Sequence, residues 1–373
     1  MKKINIGITI NIEKPTESFF TNGLKQNAIT FLETFLKCKN VENAYFVNLG
    51  PQKDLSQSPW KAYEKHIVNF NEAVEKLDLV VTVAVTFTNE MLEILHKKGV
   101  RIAKHVLGSE YHFFVESILF GKNPGTSFKR RNHHSAVWLS PHIYQTGKDL
   151  FEVVCRCPAY SAPFVWSPKF LEHDVEIIKK TAGISGVYEP KEAAKKVSVF
   201  EPNLNVIKTS LTPIITGEKF YLKSPELVKK ISIFCANEIK NNSTLIDFVT
   251  DLEVQKNKKI FFEKRYGIVW SLFTHTDIVL SHQRDLALNY LYFDAAWLGF
   301  PVVHNAHFVK ELGYYYEDFD AEQAANLLVD VAKNFDATKD EYLVKSREYI
   351  SKFLPDHHRN IEGYEILIEN ATM

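Results

Sequence analysis

Asp277-Ile278-Val279-Leu280-Ser281-His282-Gln283-Arg284-Asp285 and, a helix's length later, Phe300-Pro301-Val302-Val303-His304-Asn305 form the stretch on which the fold turns. Residues 277–280 and 300–304 are short apolar runs rich in β-branched side chains, and each ends abruptly in polar residues. The segment through Trp297 between them reads as a helix. A buried strand, a helix and another buried strand make a βαβ unit, which sets the strands parallel and covers the sheet with helices on both faces.

The same alternation runs outward in both directions. Towards the N-terminus, residues 3–10, 43–49, 77–85, 101–107, 135–139 and 151–157 read as strands. Residues 22–37, 89–98 and 111–120 read as helices, the first with Leu24, Ala28, Phe31, Leu32 and Phe35 along one face. A polar stretch at 181–195 with Gly183, Gly186 and Pro190 reads as a linker, after which the pattern restarts. Strands are expected at 196–200, 230–236, 259–262, 277–280 and 300–304. Helices are expected at 211–221, 321–334 and 340–353, the last stopped by Pro355. The expectation is an α/β protein of two Rossmann-like, doubly wound domains facing across a cleft: residues 1–190, residues 191–355, and a C-terminal helix within 356–373 packing back toward the first domain.

Composition agrees and excludes several classes. A chain of 373 residues exceeds the ~100–200 of one ordinary domain. Lys and Arg total 45 and Asp and Glu total 45, so the basic surplus that a nucleic-acid binder needs is missing. Asn11 and Glu13 interrupt the first apolar run before a secretion signal could form. Residues 77–87 fall short of the ~18 apolar residues of a membrane helix. The four cysteines read as reduced thiols, with Cys155 and Cys157 on one face of a strand. The expected location is the cytoplasm, with peripheral contact at the inner face of the membrane as the most that is required.

In open α/β sheets ligands bind beyond the carboxyl ends of the strands. After the first strand, Gly23, Gln26 and Asn27 open a helix whose amides could meet a ligand, although Asn22 also reads as a plain N-cap. After residues 196–200 come Glu201, Asn203 and then Lys208, an acid and an amide suited to sugar or ribose hydroxyls and a lysine suited to phosphate. Arg265 follows 259–262 as a diphosphate clamp, with a solvated charge run as the plain alternative. His282, Gln283 and Arg284 follow 277–280, Arg284 in a first helical turn where its charge opposes the macrodipole unless an anion is present. Asp285 with Asn289, and Tyr290 with Asp294, are expected to share helix faces. His304 and His307 read as loop histidines; no metal is expected. Lys129-Arg130-Arg131, with His133 and His134, is a local basic run, either solvated or facing an anionic lipid.

The motif Phe293-Asp294-Ala295-Ala296-Trp297-Leu298-Gly299-Phe300-Pro301-Val302-Val303, with the tail Asp320-Ala321-Glu322-Gln323-Ala324-Ala325, resembles the end of the second domain of GT-B-type glycosyltransferases. Over nearly every residue the chain is also similar to a bacterial family known as a domain of unknown function, DUF2827. That resemblance rests on Gly23-Leu24-Lys25-Gln26-Asn27-Ala28, Trp166-Ser167-Pro168, Glu201-Pro202-Asn203, Asn289-Tyr290-Leu291-Tyr292 and Gly313-Tyr314-Tyr315-Tyr316.

The resemblance implies a transferase using a nucleotide-sugar donor, without another cofactor, and a glycan or lipid-linked acceptor, in the assembly of bacterial surface polysaccharide. Asp294 would fall where retaining GT-B enzymes keep the later acid of a pair that binds the donor ribose. The earlier position, eight residues before, is Leu286, and Asp285 is one residue off. Lys208, Arg265 and helix amides would stabilise the departing diphosphate without a metal. An inverting reaction would need a base, with Glu110, His105 and His142 as candidates. The rival readings are a sugar-nucleotide epimerase of GT-B-like fold and a non-catalytic two-lobed binding protein.

Overall fold

The computed structural model describes residues 3–19, 23–83, 85–123, 133–237 and 239–373. It divides into two compact units, residues 1–170 with 352–373, and residues 171–351. The helix Lys169–Ala182, which the sequence reading missed, spans the division, with residues from Leu171 onward in the second unit.

The first unit is built on seven parallel strands: β1 (Ile4–Ile10), β2 (Val41–Asn48), β3 (Ile67–Val68), β4 (Leu79–Thr82), β5 (Arg101–Val106), β6 (Ala136–Leu139) and β7 (Ala159–Ser161), in the order β3-β2-β1-β4-β5-β6-β7. Winding runs one way from β1 and then the other from β4, so helices cover both faces and the loops part above β1 and β4. One correction concerns 151–157, expected as a strand. Ile143, Gly147, Phe151 and Cys155 recur every fourth residue, and they bury one face of a helix, Pro141–Cys155. Cys155 therefore ends a helix, and does not share a strand face with Cys157.

The C-terminal helix His358–Thr372 belongs to this first unit. Tyr364, Leu367 and Ile368 enter the same core as Phe31, Phe35 and Trp138, with the Tyr364 ring 5.3 Å from that of Phe35. The returning chain is held by the Trp166 N–H, which donates to the Phe353 carbonyl at 2.8 Å.

The second unit has six parallel strands: β8 (Lys195–Val199), β9 (Val228–Ile233), β10 (Ile260–Phe262), β11 (Ile278–Leu280), β12 (Val302–His304) and β13 (Tyr314–Tyr315), ordered β10-β9-β8-β11-β12-β13. The winding reverses between β8 and β11. Residues 321–334 and 340–353, expected as two helices, form one helix, Ala321–Ile350, because no Gly or Pro stands between them. This helix is anchored by charge as well as by packing. The Lys195 side chain at the start of β8 is only 2% exposed, and its ammonium pairs with Asp336, which also accepts from the Tyr188 hydroxyl at 2.8 Å.

Removing one partner of a buried pair strands the other charge in a low-dielectric interior. Asp336→Ala is therefore expected to cost about 3 kcal/mol, at the lower end for such pairs because Asp336 itself is one-third exposed. Urea denaturation checks this; a loss no larger than that of an exposed control substitution would refute it.

Candidate functional site

The second sheet's switch point gathers most of the chemistry. β8 and β11 lie side by side, with Val197 opposite Ile278 and Ser198 opposite Val279, so the residues just past their ends are neighbours. Past β8 stands Glu201, 1% exposed. Past β11 come Ser281, whose hydroxyl donates to the Glu201 carboxylate, and His282, whose N–H donates to the same oxygen at 3.2 Å.

The loop after β8 folds back to bring Lys208 to this end. Asn203 makes the turn with φ at +56°, the left-handed region that asparagine tolerates better than most residues. Its N–H donates to the Lys208 carbonyl at 3.2 Å, its side-chain amide donates to the Glu201 carbonyl at 2.8 Å, and its side-chain oxygen accepts from the Ser210 N–H at 2.8 Å. Lys208 is buried, and so is Glu201. Burial pushes the Glu201 carboxyl up and the Lys208 ammonium down, and the opposite charge of each works against that shift. The hydrogen bonds from Ser281 and His282 add to the carboxylate's share.

The loops past β11, β12 and β13 are tied together beside this pair. The Tyr316 hydroxyl lies 3.0 Å from His282 Nδ1 and donates to the Ser281 carbonyl at 3.0 Å. Ser281 Oγ is 3.1 Å from the Tyr292 hydroxyl. Asn305 accepts from the Gln283 N–H at 2.9 Å and donates to the carbonyls of Gln283 and Asp318 at 2.8 and 2.9 Å. β13 reaches β12 only because residue 313 is glycine: it has φ +93°, and an added Cβ would stand 2.5 Å from the Val302 carbonyl.

The structure thus brings together Glu201, Asn203, Lys208, His282 and Gln283. Arg265, exposed past β10, belongs to the same sheet end: its charge and that of Glu201 both reach the half-buried Cys235 thiol, whose pKa burial pushes up. Asp294 is buried within the helix Tyr290–Trp297. Two readings need correction. That helix begins at 290 and not just past β11, because Asp285 takes φ +54° and Asn289 is its N-cap, accepting from the Leu291 N–H. Arg284 therefore lies exposed in a loop and opposes no helix dipole, and Asp285 and Asn289 share no helix face.

In the first unit, Gly23, Gln26 and Asn27 do open the helix Gly23–Phe35, but nothing lies within 4 Å of a Cβ at Gly23, and the Asn27 amide donates to the Gly23 carbonyl at 2.7 Å. Glu110 is tied to Lys104 at 2.8 Å. His105 is lost as a candidate base. It sits inside β5, with its Nε2 3.0 Å from the Tyr364 hydroxyl and its ring stacked 4.6 Å from Phe31, within the hydrophobic core. His142 is buried in the first turn of the helix Pro141–Cys155, edge-on to Phe164. His304 is structural, its Nε2 on the Leu312 carbonyl and its Nδ1 accepting from the Ala306 N–H. Lys129, Arg130 and Arg131 lie outside the described residues. Among the described residues, no group of three or more His, Cys, Asp or Glu could hold a metal ion, and no helix is long and apolar enough to cross a membrane.

Sequence reasoning missed the roles of Ser281, Tyr292, Tyr316 and Asn305. Tyr292 and Tyr316 were nevertheless within the stretches that carry the family resemblance.

Two doubly wound parallel sheets in this order define the GT-B fold, and solved structures agree. The chain is similar to the Anabaena protein HepE in complex with UDP-glucose (13% identity, TM-score 0.56, 98% of this chain and 100% of that one). It is also similar to WaaG, a glycosyltransferase involved in lipopolysaccharide biosynthesis (11%, 0.54, 97% and 99%), and to an α,α-trehalose 6-phosphate synthase from Burkholderia multivorans (10%, 0.56, 100% and 98%). A search of curated proteins returns no sequence match. The chain belongs to the family described as "Protein of unknown function (DUF2827)", whose model matches residues 6–368.

Burial holds three histidines well below the ordinary 6.5, His105 at about 3 and His282 and His304 at about 4. The unfolded chain protonates these rings first, so their stabilising share is complete above about pH 6.5 and is lost as pH falls through the folded values. His105→Phe should therefore lower proton uptake on unfolding by nearly one between pH 6.5 and 4, measured as the slope of unfolding free energy against pH. An unchanged slope would show that His105 is not buried neutral.

Proposed function

We propose that this chain is a glycosyltransferase that takes a sugar from a nucleotide-sugar donor bound at the carboxyl end of the second sheet. The observation that carries the reading is the buried Glu201–Lys208 pair at the β8/β11 switch point, cross-linked to Ser281 and His282. Such a pair is costly to bury, and it stands where an open α/β sheet receives its ligand. HepE, of the same fold, holds UDP-glucose. In this reading Glu201 and Asn203 meet sugar or ribose hydroxyls. Lys208 and Arg265 neutralise charge developing on the leaving diphosphate, so that the reaction proceeds without a metal. In the same reading Asp294, Gln283, Asn289 and Arg284 complete the donor site. The acceptor is a glycan or lipid-linked glycan.

A thermal-shift screen of nucleotides and nucleotide sugars tests this. A ligand at 100 times its Kd stabilises by about 2.7 kcal/mol. One nucleoside diphosphate and its sugar should raise the Tm, Arg265→Ala and Lys208→Met should each abolish most of the shift, and EDTA should leave it in place. If nothing in the panel shifts the Tm, the donor site is wrongly assigned. Conversion of the sugar nucleotide alone would favour the epimerase, and binding with no turnover on any acceptor the silent binding protein.

The proposal extends to where the enzyme works. The helix Glu110–Phe120 ends with Ile118, Leu119 and Phe120 all more than 60% exposed. Residues 117–134 carry Lys122, which pairs with Glu116 at 2.9 Å, and Lys129, Arg130 and Arg131, with no carboxylate of their own. Exposed apolar side chains, followed in the sequence by a basic run, match an anionic lipid surface, which fits a lipid-linked acceptor at the inner membrane face. The protein should sediment with vesicles containing phosphatidylglycerol and not with purely zwitterionic ones. Leu119→Asp with Phe120→Asp should abolish this at unchanged Tm. Equal sedimentation of wild type and variant would exclude the surface.

A further inference from the structure

The hydrogen bonds around His282 determine which of its nitrogens carries the proton. The Tyr316 hydroxyl has one hydrogen and two neighbours at 3.0 Å, the Ser281 carbonyl and His282 Nδ1. A carbonyl can only accept, so the tyrosine's hydrogen must point to it. The tyrosine oxygen then accepts from His282, which requires the proton to be on Nδ1. In the neutral ring Nε2 is left with a bare lone pair. Burial holds the pKa at about 4, so the ring is neutral at pH 7.

That lone pair has no partner. His282 is 3% exposed, and its Nε2 finds no hydrogen bond among the described residues. A buried acceptor without a donor is costly, and such atoms are few in native structures. His105 resembles it: Tyr364 donates to the Pro163 carbonyl at 2.9 Å and lies 3.0 Å from His105 Nε2. His105, however, is enclosed by Phe31, Trp138 and Tyr364 within the core. His282 stands at the sheet's carboxyl end, and the ring edge-on to it at 4.5 Å belongs to Phe319, which is 57% exposed.

We infer that His282 Nε2 is a fixed acceptor for a hydroxyl of the bound nucleotide sugar, on the ribose or on the transferred sugar, reached when the Phe319 ring moves aside. This rests on the donor site proposed above and assigns His282 a neutral, accepting role. The diphosphate of a nucleotide sugar, esterified at both ends and without a proton at neutral pH, is not its ligand. A site built to accept from a hydroxyl also discriminates strongly against analogues that lack it, because the acceptor is then left unpaired.

The test uses the full chain and the nucleotide sugar and nucleoside diphosphate that stabilise it best. In ¹⁵N NMR of imidazole-labelled protein, His282 should show the Nδ1–H tautomer, and the nucleotide sugar should shift its Nε2 resonance. By calorimetry, His282→Phe should weaken the nucleotide sugar roughly tenfold, the worth of one hydrogen bond of about 1.4 kcal/mol. His282→Gln, which keeps an acceptor near the same point, should restore part of the loss. Weakening of the nucleotide sugar alone places the hydroxyl on the transferred sugar, and equal weakening of both ligands places it on the ribose. An Nε2–H tautomer, or wild-type affinity in both variants, overturns the inference and leaves the donor site standing. Failure of every nucleotide to bind the wild type removes the donor site and this role with it.

Discussion

A carboxylate sealed from water at the end of a strand must be compensated, and the second unit is arranged around compensating Glu201. Its neighbours come from three loops: Lys208 from its own, folded back through the left-handed Asn203, and Ser281 and the His282 amide from the adjoining one. Tyr316 reaches the same point from past β13, through the Ser281 carbonyl. None of these groups is placed by the strands alone. The strands bring the loop origins within reach, and the charge determines how the loops close.

This distinguishes the site from the surrounding packing. The sheets could be assembled with many apolar sequences, since a parallel sheet asks only for β-branched and apolar residues buried on both faces. The Glu201 cluster has far less latitude, because a half-satisfied polar network is worse than none. Ser281, Tyr292 and Tyr316 each make contacts that a purely apolar replacement would leave open at the partner's end. The contrast with His105 is instructive. Both histidines are held by a tyrosine, but one is sealed among rings as part of the core, and the other lies at the carboxyl end of the second sheet beside the exposed Phe319.

The architecture was largely legible from periodicity, because long runs such as 77–85 and 101–107 have no other stable reading. What failed were boundaries set by single residues. The helix Pro141–Cys155 was hidden because its buried face includes Gly147, which carries no apolar signal, and because the tail Phe151–Cys155 taken alone looks like a strand. The late start of the helix Tyr290–Trp297 depends on the positive φ of Asp285, which composition does not announce. Of the site, Glu201, Asn203 and Lys208 were legible because polar residues crowd one strand end. The tyrosines were not, since an aromatic residue near a strand is ordinarily core, and only the folded loops show their hydroxyls turned to Ser281 and His282.

The return of His358–Thr372 to the first unit has a consequence for biosynthesis. Residues 171–351 are contiguous and need no later segment to complete their fold. The unit that holds residues 1–170 does, because Tyr364, Leu367 and Ile368 are part of its interior. The half made first is thus the half completed last. Until those side chains arrive, the groove beside Phe31, Phe35 and Trp138 stays open, a window in which a nascent chain is exposed to chaperones and to premature association.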